Sequence, residues 1–292
     1  MPDPRWIAGL ILLAGVLALS IHLSATTMEY SRYNQEWNGT SRLFQALEDR
    51  GARDYTAHSP LPAEGALLLI MVPAGDYGPG EAGELRAFLG RGNTVVLVDD
   101  AGSGNSLLSG LDSGIRIRTG NLTSADRVYA DPSSVTAFPE GDDPLNAGVQ
   151  RLALNRPAWV EGGIPVFSTS ILSWEDSNGD GKYSSGEEMG HFTVAAREAH
   201  GNGTLYVIAD PSIFINGMQS PGATAGNALL VERILSAGPL VLAEQGHSRT
   251  ASAGGVIRVI HFIQDSIPIK MALLTILVMG LALIFWQRSQ SR

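Results

Sequence analysis

Two long apolar stretches near the ends of the chain frame a region in which short apolar runs alternate with amphipathic segments. The first stretch covers residues 6–24 and the second covers residues 267–286. Each is close to the roughly 20 apolar residues that a helix needs to cross a hydrocarbon core of about 30 Å. The pattern therefore predicts two transmembrane helices, with one large domain over residues 28–265 between them.

The first apolar stretch also has features of a secretory signal peptide. Arg5 gives it a weakly positive start, and the small residues Ser24, Ala25 and Thr26 at its end loosely match a cleavage site. We take the stretch as a retained anchor, with cleavage as the alternative.

Basic residues at the outer ends of the two stretches predict how the chain is oriented. Arg5 precedes the first stretch, and Arg288 and Arg292 follow the second. Positively charged flanks stay on the cytoplasmic side of a membrane. Residues 1–5 and 287–292 are therefore expected to be cytoplasmic tails of a two-pass cell-membrane protein, and the domain between the helices is expected to be extracellular.

The region between the stretches has the alternation of an α/β domain. Ala66–Val72 is an uninterrupted apolar run, as expected of a strand buried on both faces. A turn rich in glycine and proline leads to a helix with Leu85 and Phe88 on its apolar side, and Thr94–Val98 is a second buried strand. This spacing predicts a three-layer domain around a mostly parallel sheet. Residues 104–163 lack such periodicity and are predicted to be an irregular insertion.

Residues 176–187 match the calcium-loop pattern D-x-[DN]-x-[DN]-G-x₅-E at each specified position. The expected oxygen ligands of a Ca²⁺ ion are the side chains of Asp176, Asn178, Asp180 and Glu187, the backbone carbonyl of Lys182, and Ser184 through a water molecule. Because the loop lies between predicted strands and not helices, a bound ion would stiffen a hairpin. The alternative is an ordinary turn, since Asn-Gly-Asp-Gly needs no ion to form one.

Polar residues follow two of the predicted strands. Asp99 and Asp100 come after the strand at 94–98, and Asp210 follows a later predicted strand at 204–209, with Asn216 a little further on. Open α/β sheets bind ligands at the carboxyl ends of parallel strands. The sequence therefore predicts a ligand-binding crevice at these four residues. The alternative is that they cap turns and hold loop backbone.

Composition excludes some chemistry. With no cysteine in the chain, a thiolate nucleophile is impossible, and no other recognisable catalytic set is present. The net charge of −9 and only two lysines argue against nucleic acid as a partner. N-glycosylation sequons begin at Asn38, Asn121 and Asn202, which agrees with an external glycoprotein.

Several short motifs along the chain resemble the membrane proteins grouped under domain of unknown function 4350, especially their archaeal members. The matching segments are Tyr30-Ser-x-x-Asn34, Gly39-Thr40-Ser41, the strand–helix–strand unit from Ala66 to Asp100, Ser173 to Gly181, Ala209 to Asn216 with Asn227, and Glu244-x-x-His247. The resemblance implies a class I glutamine amidotransferase-like α/β domain between two membrane anchors. It also implies a genetic neighbourhood with MoxR-type ATPases, and no established activity.

Two functional hypotheses follow. The first is a non-catalytic binding or scaffold component of a membrane protein assembly, anchored in the bilayer and carrying a structural calcium loop. The second is a hydrolase or transferase that uses carboxylates at the strand ends. An enzyme is expected to bring Asp99, Asp100, Asp210 and His247 together in one cleft, whereas a scaffold is expected to disperse them in caps and turns.

Overall fold

The computed structural model describes residues 27–56, 59–126, 128–219 and 225–251, which belong to one compact unit. Both predicted membrane helices, at 6–24 and 267–286, lie outside the described residues, as do the tails beyond them. No helix within the described part of the chain combines the length and the hydropathy of a membrane span.

The described residues form four α-helices, fourteen strands and three short 3₁₀ turns. The helices are α1 (Ser41–Asp49), α2 (Pro79–Gly90), α3 (Asn105–Gly110) and α4 (Ala225–Ser236). The 3₁₀ turns are Pro211–Phe214, Asn216–Gln219 and Arg249–Ala251. The first seven strands are β1 (Arg53–Tyr55), β2 (Ala66–Met71), β3 (Thr94–Val98), β4 (Arg116–Arg118), β5 (Leu122–Ser124), β6 (Thr136–Pro139) and β7 (Leu152–Ala153). The other seven are β8 (Trp159–Glu161), β9 (Ile164–Thr169), β10 (Ser173–Glu175), β11 (Met189–Gly190), β12 (Thr193–His200), β13 (Gly203–Ile208) and β14 (Leu240–Glu244).

Nine of these strands form the central sheet, in the order β1-β14-β2-β3-β13-β12-β9-β6-β7. The first five are parallel to one another. The last four pairings are antiparallel, so the strand direction alternates from β13 to β7. β9 and β7 therefore run in the same direction as the first five strands, and seven of the nine strands share one direction. The predicted α/β class with a large, mostly parallel sheet is confirmed.

The two faces of the sheet pack into separate hydrophobic cores. On β2, Leu67 and Leu69 belong to the core that contains the apolar faces of α1 and α4, whereas Leu68 and Ile70 belong to the core with α2 and α3. Successive side chains of a strand point to opposite faces, and an uninterrupted apolar run is therefore what a strand covered on both sides requires. Helices thus cover both faces of the parallel half of the sheet.

The stretch at 104–163, predicted to be an irregular insertion, is built into the fold instead. β6 and β7 extend the central sheet, β4 pairs with β8, and β5 joins β10 and β11 in a three-stranded sheet. The five strands in this stretch have two to four residues each. Strands of that length show no periodic pattern, which is why the sequence does not predict them.

Asn227, one of the residues that carry the family resemblance, lies inside α4. Its side-chain amide donates to the carbonyl of Ala153 at 2.8 Å, and its Oδ1 accepts from the N–H of the same residue at 2.9 Å. Asn227 therefore fastens the edge strand β7 to the helix. The neighbouring Gly226 permits this close approach, because a Cβ atom there would lie 1.8 Å from the carbonyl oxygen of Arg151.

Candidate functional site

An open cleft of about 520 Å³ lies at the carboxyl ends of β3 and β13. Its lining is polar and carries both charges: Glu29, Asp100, Asp131, Arg156, Arg249, Asn121, Asn155, Ser212, Tyr30 and Trp37. Of the four predicted ligand-binding residues, Asp100 lines this cleft, whereas Asp99, Asp210 and Asn216 do not.

Asp99 is fully buried and caps the turn that leads into α3. Its Oδ1 accepts the N–H of Ala101 at 3.1 Å, and its Oδ2 accepts the N–H of Gly104 at 2.8 Å. Burial raises the pKa of this carboxyl, and the two backbone donors oppose the shift. Both oxygens are thus occupied by the backbone, as expected of a structural cap.

Asp210 is also fully buried and begins the 3₁₀ turn that follows β13. Its Oδ1 accepts from the N–H of Ser212 and its Oδ2 from the N–H of Asn155, each at 2.8 Å. Burial raises the pKa of this carboxyl to about 7, and the negative charge of Asp100 adds to the shift. Asp210 therefore joins the β13 end to the segment before β8, and it does not face solvent.

Asp100 is the half-buried carboxylate that faces the cleft. Burial and repulsion from Asp99 raise its pKa to about 6, while the positive charge of Arg249 opposes the shift. Near neutral pH part of the population is protonated, so the carboxyl can either accept a hydrogen bond from a bound molecule or donate one to it.

The side chain of Asn216 holds the segment that precedes α1. Its amide nitrogen donates to the carbonyl of Glu36 at 2.7 Å, to that of Asn34 at 3.1 Å and to Ser41 Oγ at 3.1 Å. Its Oδ1 accepts the N–H of Arg42 at 3.0 Å. The amide thus makes its contacts inside the protein and positions a loop that borders the cleft.

Glu244 and His247 lie at the end of β14 in a separate cluster. The ring nitrogens of His247 lie 3.4 Å from Glu81 Oε1 and 3.5 Å from Glu244 Oε1, and the ring stacks on Tyr77 at a centroid distance of 4.4 Å. Glu244 is only 3% exposed, so its carboxylate is withdrawn from solvent. None of these four residues lines the cleft, and His247 therefore does not converge with Asp100.

The predicted calcium loop forms the connection of the β10–β11 hairpin, between two strands as the sequence indicated. Asp176 accepts three backbone N–H groups, from Gly179 at 2.8 Å, Asp180 at 3.2 Å and Gly181 at 2.9 Å. These bonds curl the start of the loop around the first carboxylate. Both glycines have positive φ, 74° and 69°, which glycine adopts without strain.

Glu187 closes the other end of the loop. Its two oxygens accept from the N–H groups of Ser177 at 3.1 Å and Ser184 at 2.8 Å. Among the described residues no three His, Cys, Asp or Glu side chains are grouped closely enough to hold a metal ion. A calcium loop takes part of its ligands from amide, hydroxyl and carbonyl oxygens. The calcium site at these residues stays a prediction.

A second cavity of about 330 Å³ adjoins the cleft on the side of this loop. Asn121, Asp131 and Arg156 line both cavities, and Asp176 and Asp180 line the second one. The hairpin that carries the predicted calcium ligands therefore lies beside the cleft that Asp100 faces.

The sequence did not point to most of the residues that line the cleft. Trp37, Arg156 and Arg249 come from three distant loops and share no motif. Arg156 has φ of 52°, a backbone conformation that costs a non-glycine residue about 1–3 kcal/mol and tends to occur at functional sites. For Trp37, the signal in the sequence is the pair of motifs Tyr30–Asn34 and Gly39–Ser41, which flank it.

A family model described as domain of unknown function (DUF4350) matches residues 32–235. The match covers the predicted calcium loop, all strands of the central sheet except β14, and seven of the ten residues that line the cleft. Comparison with curated proteins finds no relative.

Solved structures with a similar backbone include the N-terminal domain of mmIFT52, with a TM-score of 0.49 at 15% identity over 68% of this chain and 90% of that chain. A β-galactosidase from Bacillus circulans sp. alkalophilus matches with a TM-score of 0.38 at 14% identity, over 66% of this chain and 27% of that one. The exo-β-1,4-mannosidase Op5Man5 from Opitutaceae bacterium strain TAV5 matches with a TM-score of 0.35 at 15% identity, over 66% and 30%. The chain spans less than a third of each glycosidase. At these scores the similarities carry no argument about function.

Proposed function

This chain belongs to the DUF4350 family, and we propose that it is a non-catalytic binding component of a membrane protein assembly. One observation carries the proposal. Two of the three carboxylates at the strand ends have structural roles, because Asp99 and Asp210 accept backbone N–H groups with both oxygens. The third, Asp100, faces an open polar cleft. Of the three carboxylates at these strand ends, Asp100 is thus the one that offers its oxygens to the cleft.

The alternative, a carboxylate-dependent hydrolase or transferase, is favoured by the raised pKa values of Asp100 and Asp210. Perturbed acidity is common in active sites, but buried structural carboxylates show it as well. Asp210 is fully buried and cannot reach a substrate in the cleft. His247, the candidate proton carrier, lies in a different cluster. We therefore favour binding over catalysis.

We further propose that the domain is extracellular and held by two membrane helices with both termini in the cytoplasm. The apolar stretches at 6–24 and 267–286 and the arginines outside them support this arrangement. Of the three sequons, Asn202 lies in the exposed turn between β12 and β13 and suits a glycan. Asn121 lines the cleft, where a glycan would compete with a ligand.

Calcium has a structural role in this proposal. The ion would bind at Asp176, Asn178, Asp180, Lys182, Ser184 and Glu187, and it would stiffen the hairpin that adjoins the cleft. Four carboxylates, those of Glu175, Asp176, Asp180 and Glu187, fall in this short hairpin, and a divalent cation would relieve their mutual repulsion.

Co-purification tests the proposed function. The full-length chain is isolated from its native membranes in mild detergent, and accompanying proteins are quantified by mass spectrometry. We expect membrane proteins and a MoxR-type ATPase with the wild type, and at least several-fold less of them with Arg156→Gln, which removes a charge from both cavities. Arg151→Gln is the matched control, because this exposed arginine lines neither cavity. Recovery of the chain alone, or equal recovery with both variants, would contradict the proposal.

A further inference from the structure

We infer that the cleft beside Asp100 binds a carbohydrate and that the indole of Trp37 is the surface on which a sugar ring stacks. The inference rests on the proposed function, since it names the class of ligand for the same cleft. It is carried by three features: an exposed aromatic side chain in the cleft, hydrogen bonds that hold the backbone of its loop, and a set of planar polar groups in the same lining.

Trp37 is the most exposed large apolar side chain among the described residues, at 64%, and it lines the cleft. The indole leaves a broad flat apolar surface in contact with water, and covering it with a ligand is favourable. A pyranose ring has one face of C–H groups and a rim of hydroxyls. Its apolar face matches an indole plane, and its rim needs hydrogen-bonding partners.

The loop that carries Trp37 is held from two sides. Its carbonyl accepts the N–H of Gly217 at 2.8 Å, and the carbonyl of the preceding Glu36 accepts from Asn216 at 2.7 Å. The carbonyl of Asn34 accepts from the same amide at 3.1 Å. A residue whose backbone is fixed before binding loses less freedom when it binds. Asn216 is thus a positioning residue for the aromatic surface.

The remaining lining suits a polyol. The side chains of Asp100, Asn121, Asn155 and Arg156 are planar and carry paired donor or acceptor atoms, which suits the adjacent hydroxyls of a sugar. Three carboxylates and two arginines face the cleft, a mixture that disfavours a strongly anionic ligand such as a phosphate.

The shape of the cleft agrees with this assignment. Its volume of about 520 Å³ falls within the range of small-molecule sites, roughly 300–1,000 Å³. None of its described lining residues is aliphatic. An extended peptide is recognised through apolar side-chain pockets and a free sheet edge, and the described lining supplies neither.

A printed array of defined glycans tests the inference. The full-length protein, in mild detergent, is applied as wild type, Trp37→Ala, Trp37→Phe and the control Phe138→Ala. Phe138 is an exposed aromatic residue that does not line the cleft. We expect the wild type and Phe138→Ala to retain a common set of glycans. Trp37→Ala is expected to bind them about tenfold or more weakly, and Trp37→Phe to recover part of the loss.

The outcomes separate this inference from the proposed function. Absence of glycan binding by the wild type, or equal binding by Trp37→Ala, overturns the carbohydrate assignment. Either result leaves the co-purification of partner proteins, and its dependence on Arg156, to be judged independently.

Discussion

Asp210 is fully buried within the electrostatic reach of Asp100, and this position makes the stability of the domain depend on pH. Its pKa in the folded protein is about 7, above the ordinary value of 3.8. The folded state therefore holds this proton more tightly than the unfolded state. The stabilisation from this group is fully present below about pH 4 and is lost as the pH rises through about 7.

Replacing Asp210 with Asn tests this assignment. The variant removes the titration, so the fall in unfolding temperature between pH 4 and pH 7.5 is expected to be smaller than in the wild type. At pH 4 the variant is expected to be less stable by about 1–3 kcal/mol, because the amide NH₂ of Asn cannot accept from one of the two backbone N–H groups that Asp210 holds. Thermal unfolding followed by intrinsic fluorescence measures both effects. Parallel pH profiles for the two proteins would contradict the assigned pKa.

At the scale of elements, the calcium hairpin is the part whose chemistry the sequence predicted most specifically. Glu187 joins its two ends by accepting the N–H of Ser177, and both Asp176 and Glu187 accept further N–H groups from within the loop. A cation that binds these oxygens only in the folded state stabilises the hairpin by mass action. With the affinity of extracellular calcium modules, about 10⁻⁴–10⁻³ M, 10 mM Ca²⁺ would add about 1–3 kcal/mol.

Glu187→Gln provides the sharpest test of the calcium loop. Gln keeps the size of the side chain and one acceptor oxygen, but it cannot provide a bidentate carboxylate. We expect 10 mM Ca²⁺ to raise the unfolding temperature of the wild type and to have little effect on this variant. Glu188→Gln is the matched control, because its side chain is exposed and lies outside the ligand pattern. If Ca²⁺ shifts neither the wild type nor the control, the calcium site does not exist.

The elements also show what a single sequence reveals. The buried strands β2 and β3 and the helices beside them were predictable, since long apolar runs and amphipathic periods report burial directly. The short strands between residues 116 and 161 were not, because two to four residues carry no period. In the site, Asp100 was predictable from its place after a strand. Trp37 and Arg156 were not, because three-dimensional contact between distant loops brings them to the cleft.

At the scale of the whole molecule, the proposal requires the domain to lie outside the cell. The chain has no cysteine, so a single introduced cysteine reports its own location. Asn202→Cys, in the exposed β12–β13 turn, is expected to react with a membrane-impermeant maleimide in intact cells. Ser291→Cys, in the predicted cytoplasmic tail, is expected to react only after permeabilisation. Labelling of Ser291→Cys in intact cells would contradict the two-pass arrangement.

The central claim is that the cleft is the place where the chain meets its ligand or partner. Asn121→Cys puts a reactive group in a position that lines both cavities. Asn202→Cys puts the same group just before the first residue of β13, at the end of that strand that lies away from the cleft. Both start from an exposed asparagine of a sequon, so they form a matched pair.

The most direct test of that claim attaches a thiol-reactive photo-crosslinker to each of these two cysteines in native membranes. After irradiation, the adducts are identified by mass spectrometry. The account predicts a defined adduct from position 121 that is absent at position 202 and decreases when Arg156→Gln is added. Identical adducts from both positions, or no adduct from position 121, would contradict it.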